Sequence, residues 1–138
     1  MARWVCPACD REFERANQSH VCAPAGTVDQ TFAGRPPAQR AAYEAIMAHL
    51  ATLGPVHVDA VGVGVFLKSD RKFAEIRPMA RALSINVLAT HAADHPTVVR
   101  SQRISSDRVW SVIRLHGPDD VDDALLACLA LAYDEATG

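Results

Sequence analysis

Hydrophobic positions along the chain change their period as the sequence is read. Between Pro37 and Leu53 the residues Tyr43, Ile46, Met47, Leu50 and Leu53 recur at three- and four-residue intervals, which predicts a helix with one buried stripe. Pro37 suits its first turn and Gly54-Pro55 stops it. Just upstream, Asp29 is placed to cap a brief helical turn through Phe32, ended by Gly34. From Val56 the period becomes two: Val61, Val63, Val65 and Leu67 alternate with small residues and predict a strand with one apolar face. Residues 68–72 read as a turn, and 73–78 (FAEIRP) as a returning strand. Residues 82–88 (ALSINVL) and 108–115 (RVWSVIRL) supply two more strands, separated by a polar stretch, 91–106, that reads as a loop. Gly117-Pro118-Asp119 opens a last helix, on which Val121, Leu125, Cys128, Leu129, Ala132 and Tyr133 share one face. Four aspartates at its start complement the helix dipole. Helix, consecutive strands, helix is the order of an α+β fold, an antiparallel β-meander packed against helices on one side.

At 138 residues, with 49% hydrophobic and 22% charged, the composition is that of a folded domain and not of a disordered chain. The longest apolar run, 124–133, is too short to cross a bilayer, so no membrane association is expected. No secretory signal stands at the N-terminus, which makes the cytoplasm the expected location. The formal net charge of −2 is unevenly spread. Residues 68–114 carry nine Lys/Arg against four acids, and residues 117–138 carry six acids and no basic side chain.

Chemistry concentrates first at residues 6–22 (CPACDREFERANQSHVC), where Cys6, Cys9, His20 and Cys22 have the identities and knuckle spacing of a closed, four-ligand zinc site. In a reducing compartment such a cluster holds metal in preference to a disulfide. A Cys-x-x-Cys redox pair is the rival reading, but such pairs open a helix inside a larger fold, and this one begins five residues from the start. Trp4 and Val5 predict a short strand paired with 11–14, and Phe13 takes the place of a packing aromatic. One structural Zn²⁺ is therefore expected, with four protein ligands leaving no open position for catalysis. The expected division is a zinc-binding knuckle over 1–26 and an α+β domain over 27–138. Because the knuckle's side chains sum to zero charge, it is poorly equipped to read phosphate alone.

The run CPxCxRxFxxxNQxHxC, followed by TFAGRPP, a helix ending LGPV, and a later FAEIRP with a terminal AY, resembles the bacterial domain-of-unknown-function family 5655 across essentially the whole chain. The resemblance implies an α+β domain behind a small zinc-binding segment and no established activity.

The functional clue in the main domain is basic. Lys68, Arg71, Lys72 and Arg77 surround one predicted hairpin, with Arg81 just beyond. Strict alternation places Arg108, Trp110, Val112 and Arg114 on one side of their strand, opposite Val109, Ser111, Ile113 and Leu115. Trp110 is thus expected at the surface between two arginines, whose planar forks suit carboxylate or phosphate. A charged hairpin tip is otherwise solvated surface. The leading expectation is a non-catalytic binding module whose basic sheet face takes an anionic ligand, nucleic acid or an acidic protein. The alternative is a metal-handling protein or enzyme using His91 and His95, although Pro96 disfavours the helix that would pair them.

Overall fold

The structure, a computed structural model, describes residues 3–7, 11–17, 26–61 and 64–138. The elements are β1 (Trp4–Val5), β2 (Glu12–Phe13), α1 (Val28–Phe32), α2 (Pro37–Leu50), β3 (His57–Ala60), β4 (Val65–Lys68), β5 (Lys72–Pro78), β6 (Leu83–Ala89), β7 (Val98–Ser105), β8 (Arg108–Leu115) and α3 (Asp123–Glu135). Six strands form one antiparallel sheet in the order β3-β4-β5-β6-β8-β7, and β1 pairs with β2 in a separate ribbon. The fold is α+β, as the periodicity predicts.

Four local readings are corrected. Thr27, not Asp29, caps α1: its hydroxyl accepts from Gln30 N while the Gln30 amide oxygen accepts from Thr27 N, a reciprocal capping box. The strand expected through Val61–Leu67 starts only at Val65, as β4; the preceding strand, β3, ends at Ala60, and Val61 N–H is bonded to Gly64 O between the two. Glycine suits position 64, because a β-carbon would lie a tight 3.0 Å from the Ile76 carbonyl oxygen. The polar stretch 91–106 contains the eight-residue strand β7, which lies outside β8 at the sheet edge. Register shifts at Val98/Arg100 and Arg103/Ser105 mark bulges at both of its ends, a common guard on an exposed edge. The last helix begins at Asp123, with Asp122 as its cap, after a 3-10 turn at Pro118–Asp120.

One face of the sheet is covered. Tyr43, Ile46 and Leu50 of α2, with Leu125, Leu129 and Ala132 of α3, meet Val65, Leu67, Ile76, Ile85, Val87, Ile113 and Leu115 from the strands in one buried cluster. Tyr133 packs edge-on against Phe73 and donates its hydroxyl to the Pro55 carbonyl. Burial of these side chains, each contributing about 1.5–3 kcal/mol, holds both helices on this side. Cys128, expected in the core, is half-buried beside it. Among the described residues no helix is long and apolar enough to cross a membrane.

Candidate functional site

The opposite face of the sheet carries the site. Residues paired across an antiparallel ladder share a face, so register alone assigns the outer rows. Arg77, Ser84 and Arg114 stand side by side on β5, β6 and β8. The neighbouring row runs Phe66, Glu75, Asn86, Val112 and Arg100 across β4, β5, β6, β8 and β7. Short side chains at the centre of both rows leave a depression of about 230 Å³ with Ser84, Asn86 and Val112 as floor and Glu75, Arg77, Met79, Arg100 and Arg114 as rim. Arg77 and Arg114, two strand spacings apart, flank Ser84 with α-carbons roughly 10 Å from each other.

These arginines have unused capacity. Arg77 and Arg100 make no side-chain hydrogen bond or ion pair among the described residues. Arg114 Nε is buried without a partner, and its Nη1 lies 2.7 Å from Met79 Sδ, a weak acceptor. Glu75, the acidic rim residue, is held at 2.6 Å by Lys72 Nζ. Three guanidinium groups thus border a polar hollow whose one carboxylate is already paired. Such forks bind oxyanions by charge-assisted, bidentate hydrogen bonds.

A second row of cations and rings lies beside it. The register shift at Leu67/Lys68 turns both Phe73 and Ala74 into the core and brings Lys72 to the outer face opposite Lys68. From there Lys72 Nζ sits 4.8 Å from the centre of the Phe66 ring and 5.6 Å from that of Trp110. Trp110 is half-buried under this ammonium and does not line the depression; it stands four residues along β8 from Arg114, about 14 Å away. Beyond Phe66, the β1–β2 ribbon docks on the same face. Arg11 Nε reaches Asp59 Oδ2 at 3.0 Å, and Lys68 Nζ donates to the same oxygen and to Glu12 O, each at 3.1 Å. Arg11 lies over Phe66 and Phe13, Lys68 over Phe13, and the Arg3 guanidinium donates to the Ser69 carbonyl. Burial pushes the Lys68 pKa below its ordinary value, against the opposing pull of Asp59.

Residues 28–136 match a family described as a domain of unknown function (DUF5655). The chain belongs to that family. No curated protein and no solved structure matches it. The matched span contains every residue of the arginine depression, whereas the β1–β2 ribbon precedes it.

Within the DUF5655 domain, the basic residues singled out by sequence divide into three groups. Arg77 and Arg114 meet at the depression, and Lys72 links it to Trp110. Lys68 is committed to Asp59 and Glu12, and Arg71 to the far side, where its guanidinium donates to Glu135 O at the end of α3. Arg108 is half-buried at the start of β8, its charge felt by Glu135. Arg100 is the site residue that sequence reading misses, because β7 reads as loop.

His91 and His95 do not converge. His95 places Nε2 2.8 Å from Asp122 Oδ1 and Nδ1 2.6 Å from Thr97 Oγ1, while His91 Nδ1 faces Thr90 Oγ1. Among the described residues no three His, Cys, Asp or Glu side chains gather as a metal site. Of the expected zinc ligands, Cys6 is buried at the end of β1 with Phe13 and Trp4, its N–H bonded to Arg11 O. Cys9, His20 and Cys22 lie outside the described residues.

Proposed function

We propose that the DUF5655 domain is a non-catalytic, cytoplasmic binding module whose open sheet face holds an anionic ligand, with single-stranded nucleic acid as the ligand class. The observation that carries this reading is the convergence of Arg77, Arg100 and Arg114, from three strands, on one polar depression. Trp110 and Phe66 add ring surface along the same face, and stacking a base on such a ring is worth about 1–3 kcal/mol by alanine substitution. The acidic run works against phosphate, but α3 lies on the covered side, with the sheet between it and the arginines. A structural Zn²⁺ held by Cys6, Cys9, His20 and Cys22 completes the proposal. The hydrogen bond from Cys6 N–H to Arg11 O and the buried Cys6 side chain support it, and the ion would fix the fold of the segment seated on Phe66.

Anisotropy of a labelled oligonucleotide at two salt concentrations tests the ligand class. Three phosphate contacts give a fall in log K of about 2 per tenfold rise in salt. Arg77→Ala with Arg114→Ala should weaken binding and flatten that slope, and Trp110→Ala should weaken binding without changing the slope. Absence of binding at low salt, or variants indistinguishable from wild type, refutes the reading. Preference for an acidic peptide over the oligonucleotide would redirect it to a protein partner.

A further inference from the structure

From the shape and charge of the depression we infer that it is a phosphomonoester site, reading a terminal phosphate in preference to an internal phosphodiester. The inference rests on the proposed anion-binding role of this face and names the group it selects. An internal phosphodiester carries one negative charge and two unbridged oxygens, and it follows a strand along an open groove. A terminal phosphate carries −1.5 to −2 near neutral pH and offers three strong acceptor oxygens. The depression matches the second. It is a localised depression of about 230 Å³, and its three arginines approach from different strands.

The register explains the convergence. Arg77 and Arg114 are paired with the same short residue, Ser84, so both long side chains border one gap in the surface. Arg100 enters from the next row, two strands away from Asn86 across Val112. Ser84 and Asn86 add uncharged donors at the floor, and neither makes a side-chain hydrogen bond among the described residues. Arg114 supplies an independent sign of a missing partner. Its Nε is buried and unpaired, and a buried donor without an acceptor costs free energy that an oxyanion beside the guanidinium would offset by re-aiming the fork. Glu75 would repel a dianion if it were unpaired, but Lys72 holds it.

The test compares one oligonucleotide sequence with a 5′-phosphate and with a 5′-hydroxyl, and uses the corresponding nucleoside 5′-monophosphate as competitor. The phosphorylated strand should bind about tenfold tighter or more, the gain expected from one or more additional charge-assisted hydrogen bonds. Arg100→Ala should bring the affinities of the two strands together, and it should also weaken the 5′-hydroxyl strand by the loss of one of the three phosphate contacts. Because Arg100 is exposed and makes no contact that the fold uses, this variant should melt like wild type. A mononucleotide that competes as well as the strand, mole for mole, identifies the phosphate group alone as the ligand; weaker competition assigns part of the affinity to the strand. Salt-dependent binding that is equal for both ends overturns the phosphomonoester site and leaves the anionic face standing. Binding of neither strand at low salt overturns both.

Discussion

Replacing Asp59 by alanine leaves Arg11 and Lys68 facing each other without the carboxylate that both contact. Their side chains are 7% and 9% exposed, and that of Asp59 is 12% exposed, so water screens the pair poorly. Breaking a fully buried pair by removing one partner costs about 3–5 kcal/mol. Here Asp59 stands on the edge strand β3 and Lys68 keeps its bond to Glu12 O, so the lower figure for losing hydrogen bonds to charged groups applies, about 2–3 kcal/mol. At about 3–5 °C per kcal/mol for a domain of this size, the melting temperature should fall by roughly 6–15 °C. The sign of the pH dependence follows from Lys68, whose folded pKa already lies below the ordinary lysine value of 10.5 because of burial, with Asp59 opposing. Between the depressed folded pKa and the unfolded one, the unfolded chain binds more protons, so stability rises with pH. Without Asp59 the folded pKa falls further and that window widens, so the variant's deficit should shrink as pH rises toward the unfolded lysine value. Thermal unfolding followed by far-UV dichroism measures both effects. Asp29→Ala is the control: that carboxylate, 87% exposed, pairs with Arg40 at the surface and should contribute less than about 1 kcal/mol. An Asp59→Ala melting temperature within about 2 °C of wild type would refute the reasoning.

Gly54 has φ +152°, and a β-carbon there would lie 2.5 Å from the Tyr133 hydroxyl, so Gly54→Ala should destabilise by about 1–3 kcal/mol. Tyr133→Phe in the same chain should recover part of that loss, and strictly additive effects in urea melts would contradict the contact. Asp122 accepts from Leu125 N–H and from His95, which hold its pKa below the usual carboxylate value. Its contribution is present above the unfolded pKa and lost as pH falls through the folded one, so Asp122→Asn should flatten the acid limb of stability; an unchanged limb counts against the cap. Purified protein should hold one zinc per chain, lost in Cys9→Ser and kept in Cys128→Ser. Metal analysis showing no zinc, or dependence on Cys128, removes that assignment.

Much of this fold is legible in the chain because its core faces are periodic. Of the helix stripe, Tyr43, Ile46 and Leu50 are buried and Met47 packs against the core, whereas Leu53 lies beyond the end of α2 and is exposed; the alternation Val109, Ser111, Ile113, Leu115 is buried throughout. The pairing of Trp4 and Val5 with Phe13 and Glu12 also follows from the sequence. Strand β7 is not legible in the same way. An edge strand with both faces toward solvent shows no alternation, and its signal is only the β-branched content of residues 97–104 without Gly or Pro. That miss hides Arg100. Parity correctly places Trp110 and Arg114 on the outer face, but it cannot foresee the bulge at Phe73 that carries Lys72 over the Trp110 ring. Nor does charge in the sequence distinguish Arg77, with no ion pair among the described residues, from Lys68, which a distant aspartate and the N-terminal ribbon occupy. Such pairing depends on contacts between segments far apart in the chain.

Amide chemical shifts of the labelled protein, recorded while a short 5′-phosphorylated oligonucleotide is added at low salt, test the proposed face residue by residue. The account predicts that the largest changes cluster on Arg77, Ser84, Asn86, Arg100, Val112 and Arg114, weaken through Trp110, and reverse when salt is raised. Changes centred on α3, or on no surface at all, would contradict it.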